Sequence, residues 1–217
     1  MTEEEWLGAS KQRPMLEHLR RSGRATAREW RLLVCAALRD PKVWPHLVSR
    51  SSQRAVEVSE AFADGAATRE DLTRVRKGAH TAAYLRQGRP KQRYAAGLAH
   101  NLCWQDAQLL RDGAFSWLGT DAKLLVSVAL IREVIGNPFR ATRLDTAWRM
   151  PTVVSLAQAA YDERALPTGH LDPVRVAVLA DALEDAGCSN EAILSHLRSA
   201  GPHVRGCWAL DLILGKS

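Results

Sequence analysis

Only four cysteines occur in the 217-residue chain, and no two of them (Cys35, Cys103, Cys188, Cys207) are spaced as C-x-x-C. That excludes a dense disulfide framework and makes reduced thiols the expected state. Long apolar runs are lacking too. Leu124 to Ile131, interrupted by Ser127, is among the longest, far below the roughly 18 residues of a bilayer-spanning helix. The opening Met1-Thr2-Glu3-Glu4-Glu5 is acidic where a signal peptide is basic. The expectation is a cytoplasmic protein that makes no membrane contact. No segment alternates β-branched and aromatic residues as a strand would, and no Asn-Gly or Asp-Gly pair sits between apolar runs as a hairpin requires. Zinc-finger spacing, an RNP motif and a helix-turn-helix signature are also missing, which leaves no basis for specific base readout. Gly215-Lys216-Ser217 matches the end of a phosphate-binding loop, but Leu210 stands where that loop needs glycine.

What is present is helical punctuation. Thr2 with Glu5 and Thr68 with Asp71 are capping-box pairs, Thr26 opens a helix carrying Trp30, Leu33, Val34, Ala37 and Leu38, and Asp40-Pro41 ends it. Ser51 or Ser52 starts a helix that Gly65 closes. The helix from Thr68 is expected to run toward Gln87-Gly88, and one from Pro90 to carry Tyr94, Leu98, Leu102, Leu109 and Leu110. Further on, Thr120 caps a helix over Lys123 to Ile135 that Gly136-Asn137-Pro138 stops, Pro151 and Pro173 begin two more, Ser189 caps another, and a last one spans Cys207 to Leu214. The fold class is all-α, an irregular bundle of about ten helices, with a short α-solenoid as the alternative. One domain over 1–217 is expected, with lobes at 1–113 and 120–217.

Charge is segregated. Between residues 69 and 93, eight basic residues (Arg69, Arg74, Arg76, Lys77, Arg86, Arg89, Lys91, Arg93) face only Glu70 and Asp71, an excess that equals the +6 of the whole chain. Residues 162–191 hold seven acids against Arg164 and Arg175. The basic stripe is a solvated face, a surface for nucleic-acid phosphates, or a contact by which one copy meets the acidic stretch of another.

The final segment concentrates soft ligands. Cys188, His196, His203 and Cys207 are spaced C-x7-H-x6-H-x3-C, without the short chelating pairs of common zinc motifs. Three readings compete: packing of small core residues, a metal site with zinc as the ion, and a thiol nucleophile in which Cys207 at a helix start works with His203 as base and Asp211 as orienter. Packing is the primary reading, with no cofactor. His100 and Cys103, three apart on an amphipathic helix, are read as core, as are Trp6, Trp30, Trp44 and Trp104.

The segments EWLGASKQRPMLEHLR, RLLVCAAL, RAVEVSEAFADG, LIREVIGNPFR, TVVSLAQAAYDERALP and VLADALEDAGCSNEAILSHLRSAGPHVRGCWALDLILGK together resemble a large family of planctomycete-type bacterial proteins with no established activity. The family pattern is cysteine-richer near Cys35 and reads Ile-Tyr-Asp-Glu-Arg-Ala-Phe where this chain has Ala160 and Leu166 at the ends. The resemblance implies a shared fold and no catalytic residues. The function expected is a non-catalytic helical interaction or adaptor module acting on another protein. The alternatives are nucleic-acid binding through Arg74, Arg76, Lys77, Arg86, Arg89, Lys91 and Arg93, and a metal- or thiol-dependent site at His203 and Cys207.

Overall fold

The computed structural model describes residues 1–85, 88–118 and 126–216. Twelve α-helices are present among them, and the only extended pairing is a pair of isolated bridges, Ala165 with His170 and His170 with Val204. The chain is all-α. No helix among the described residues is long and apolar enough to cross a membrane. The chain divides into two compact units, Met1–Val128 and Ala129–Ser217.

The first unit holds α1 (Glu3–Leu7), α2 (Gln12–Ser22), α3 (Ala27–Arg39), α4 (Arg50–Ala63), α5 (Arg69–His80), α6 (Pro90–Asn101) and α7 (Ala107–Leu118). Thr2, Thr26 and Thr68 each form a complete capping box with the residue three later, so three helix starts are fixed by local hydrogen bonds. α3 is buried on nearly every side, through Trp30, Leu32, Leu33, Val34, Cys35, Ala37 and Leu38, and packs against α4, α6 and α7. A helix that is apolar all round belongs at the centre of a unit. Two of its arginines are buried with it. Arg31 donates to the carbonyls of Leu102 and Trp104 just past the end of α6, where helical carbonyls lack partners. Arg39 grips Glu60 of α4 through two bonds, at 2.5 and 2.8 Å.

Three boundaries in this unit differ from the sequence reading. α4 begins at Arg50 with Ser49 at its N-cap position, ahead of the expected Ser51 or Ser52. The α-helix from Thr68 stops at His80 and continues as a π-helical turn over Thr81–Leu85. Leu109 and Leu110 belong to α7, not α6, because Asp106 accepts the backbone N–H of Leu109 at 2.8 Å and starts a new helix. The expected Thr120 cap lies outside the described residues, as does Arg86. Gly113 falls inside α7, where the Asn101 side chain sits 3.2 Å from the place a Cβ would take.

The second unit contains α8 (Val128–Ile135), α9 (Pro151–Asp162), α10 (Pro173–Asp185), α11 (Glu191–Leu197) and α12 (Trp208–Leu214). Its core joins Val153, Ala157, Leu179, Leu183, Ile193, Leu197 and Leu210, with Tyr161 and Cys188 buried among them. Proline opens α9 and α10, where the missing N–H costs nothing. α11 is capped by Asn190, whose side chain accepts from both Ala192 and Ile193, rather than by Ser189. Gly136 ends α8 at φ 67°, and the Trp208 ring lies 3.0 Å from where its Cβ would be. That approach seats α12 against the end of α8.

Candidate metal centre

α8 presents Leu130, Ile131 and Val134 to the core, and Glu133 is buried with them. A carboxylate on an apolar stripe needs a compensating charge, because moving an unpaired ion out of water costs several kcal/mol. That charge comes from the far end of the same unit. His196 on α11 sets Nε2 3.3 Å from Glu133 Oε2, and His203 in the α11–α12 turn sets Nδ1 3.4 Å from Glu133 Oε1. Cys207, the N-cap of α12, places Sγ 3.2 Å from His196 Nε2. The four donor atoms all lie within 4.8 Å of one another. A tetrahedral zinc with bonds of about 2.0–2.3 Å would set its ligands about 3.3–3.6 Å apart. The closest separations here nearly match that edge.

The surroundings orient the donors. His203 Nε2 lies 3.1 Å from the Ser199 carbonyl, which can only accept, so Nε2 carries a proton and Nδ1 is the nitrogen that faces Glu133. Nδ1 is buried and faces the carboxylate at 3.4 Å. A proton held between Nδ1 and the carboxylate satisfies both groups, and a metal cation in its place would do the same. The Val204 N–H donates to Glu133 Oε1 at 3.1 Å. The His196 ring leans on Trp208 at 4.9 Å between centroids. Ligand side chains held through their remaining polar atoms are the usual mark of a metal's outer shell.

The turn bearing His203 and Cys207 is pinned from below. Tyr161 Oη donates to Asp211 Oδ1 at 2.7 Å and accepts the Gly206 N–H at 2.6 Å, while the Leu171 N–H donates to the His203 carbonyl at 2.8 Å. Tyr161→Phe removes the hydroxyl that both Asp211 and Gly206 use. Were a metal held by these four donors, the substitution should weaken its binding about 10–100-fold, the scale of outer-shell changes. Competition against a chelator of known affinity measures this, and an unchanged affinity would show that the turn holds itself.

Electrostatics agree with the geometry. For Glu133, burial alone would raise the carboxyl, but the facing imidazoles of His196 and His203 outweigh it and hold the group below its ordinary value. For His203, burial alone would lower the ring, but Glu133 outweighs it and the net shift is upward. Cys207 is pushed well above the ordinary thiol value, first by complete burial and then by Glu133, so without a cation it stays a neutral thiol. The arrangement is therefore poor for a nucleophile. Asp211 accepts from Tyr161, and the carboxylate facing both rings is Glu133.

Of the four residues singled out from the sequence, His196, His203 and Cys207 come together, and Cys188 stays in the apolar core, 3% exposed. Glu133 was missed. Its signal was a lone acid at helical spacing among Leu130, Ile131 and Val134. Cys103 is buried, its thiol raised to about 12 chiefly by desolvation. In the basic stripe, Arg74 pairs with Asp71 at 2.8 Å, Arg76 lies 3.7 Å over the Trp104 ring, and Lys77, Arg89, Lys91 and Arg93 are exposed. No protein-family model, curated protein or solved structure matches the chain.

Proposed function

We propose that the Ala129–Ser217 unit binds one zinc ion through Glu133, His196, His203 and Cys207, and that the ion's role is structural. The observation that carries this reading is the convergence of one carboxylate, two imidazoles and one thiol, mostly buried, with their donor atoms all within 4.8 Å of one another. Donor chemistry selects the ion: one thiolate, two imidazoles and one carboxylate are too soft for magnesium or calcium and suit zinc. Charge selects it as well, since a divalent ion balances one thiolate and one carboxylate. Four protein donors leave no open coordination position for a substrate, so the unit acts as a non-catalytic scaffold. The work of the chain then falls to its helical surfaces, in keeping with an interaction module.

Thermal unfolding of metal-free protein, titrated with zinc under reducing conditions, tests the proposal. At a free zinc concentration a thousandfold above the dissociation constant, stabilisation should approach about 4 kcal/mol. Its pH dependence has a definite sign. Without metal, His203 contributes stability that is present below its ordinary 6.5 and lost as the pH rises through its elevated folded value. Glu133 contributes stability present above its ordinary 4.5 and lost as the pH falls through its depressed folded value. The metal-free unit should therefore be firmest between those two ordinary values and loosen toward pH 8. Zinc competes with the same protons, so its stabilising effect should grow over that rise. Equal shifts with zinc and magnesium, or a zinc effect that shrinks from pH 6 to 8, would refute the reading.

A further inference from the structure

A second surface, in the Met1–Val128 unit and independent of the metal centre, has its own chemistry. From the face of α5 and the π-helical turn that follows it, we infer a binding surface for single-stranded nucleic acid, with His80 and Tyr84 as the stacking platform and Lys77, Arg89 and Lys91 as phosphate contacts.

Tyr84 is 52% exposed, an unusual place for a large aromatic ring in a strongly basic stretch. Its orientation is fixed from behind. The ring lies 5.0 Å from His80 and meets His100 edge-on at 5.4 Å; His100 in turn meets His80 at 5.3 Å and Trp104 at 6.0 Å. Arg76 covers the Trp104 ring at 3.7 Å. The result is a supported aromatic edge instead of a loose side chain, which lowers the ordering cost of stacking a base on it. Beneath it His100 is 5% exposed, a buried imidazole that backs both exposed rings. The backbone at this point is a π-helical turn, a rare form that recurs at functional sites.

The surrounding charge fits a polyanion. Asp71 is committed to its own helix cap and to Arg74. Among the described residues Lys77, Arg89 and Lys91 take part in no ion pair, and all three are exposed. Exposed rings framed by unpaired cations are the elements from which single strands are held without sequence preference: base faces stack and the groove follows the phosphates. A duplex hides its base faces, so the platform favours single strands.

Fluorescence anisotropy on the full chain tests this with three probes: a labelled mixed-sequence single strand of about 16 nucleotides, its duplex, and a polyglutamate of equal charge. The single strand should bind best. Tyr84→Ala with His80→Ala should weaken it about tenfold or more with little change in salt dependence, since stacking is not ionic. Tyr84→Phe should restore most of the affinity if the partner at His80 is kept. Lys77→Gln with Lys91→Gln should instead flatten the salt slope by roughly 0.7 per residue. All substituted positions are exposed, and an unchanged melting curve confirms that each variant folds. Absence of binding at low salt, equal binding of polyglutamate or duplex, or full affinity after loss of both rings would each overturn the proposal.

Discussion

Cys207→Ser should weaken zinc binding more than a hundredfold, while Cys188→Ala, only nineteen positions earlier in the same unit, should leave it intact. The contrast follows from where the two thiols lie. Cys207 Sγ is 3.2 Å from His196 Nε2 inside the donor cluster, whereas Cys188 packs with Leu183 and its neighbours in the apolar core. Structural zinc sites hold their ion by roughly 10–16 kcal/mol, so losing one of four donors, and the softest, should cost about 3 kcal/mol or more, over a hundredfold in affinity. Cys188→Ala removes one buried sulfur and should lower stability by about 1 kcal/mol through the small cavity left behind. Zinc content and chelator competition on the two purified variants separate the outcomes. If both variants bind zinc with equal affinity, Cys207 is not a ligand; if both lose it, the effect is one of folding and not of coordination.

In the first unit, Glu60→Ala should destabilise by about 3–5 kcal/mol, because it removes the buried carboxylate that takes two hydrogen bonds from the Arg39 guanidinium. Arg39 and Glu60 side chains are 4% and 3% exposed, bonded at 2.5 and 2.8 Å, and the guanidinium also lies 5.0 Å from the Trp44 ring. Burial works against the charged arginine, yet Glu60 outweighs it and holds its proton more tightly than in water. Replacing both partners, as Arg39→Met with Glu60→Leu, should recover most of the loss, since a well-packed apolar pair of similar volume removes both desolvation penalties. Urea unfolding of the two single variants and the double variant gives the coupling directly. A single-variant loss under about 1 kcal/mol would place the pair in solvent.

The helices were legible because their signals are local. Thr2, Thr26 and Thr68 each reach a backbone N–H three residues away, and Pro90, Pro151 and Pro173 each fill a first-turn position. The stop at His80 was not legible, since nothing between Thr81 and Leu85 forbids an α-helix. Ser189 and Asn190 are both good caps, and only the geometry of the turn shows Asn190 accepting two N–H groups. The candidate site was half visible. His196, His203 and Cys207 stood out by residue type, but their spacing alone gave no reason to prefer coordination over packing. The deciding ligand, Glu133, comes from α8, joined to the others only through tertiary structure. Glu60 makes the same point within the first unit. A single acid on a buried helical stripe announces a partner without saying whether it is an arginine, as with Arg39, or a pair of imidazoles, as with His196 and His203.

The most direct test of the central claim is zinc-edge X-ray absorption on untagged, zinc-loaded protein, read together with metal content. The account predicts one zinc per chain with one sulfur at about 2.3 Å and three nitrogen or oxygen neighbours at about 2.0–2.1 Å. A protein that retains no zinc, or a zinc shell with no sulfur or with more than one, would contradict it.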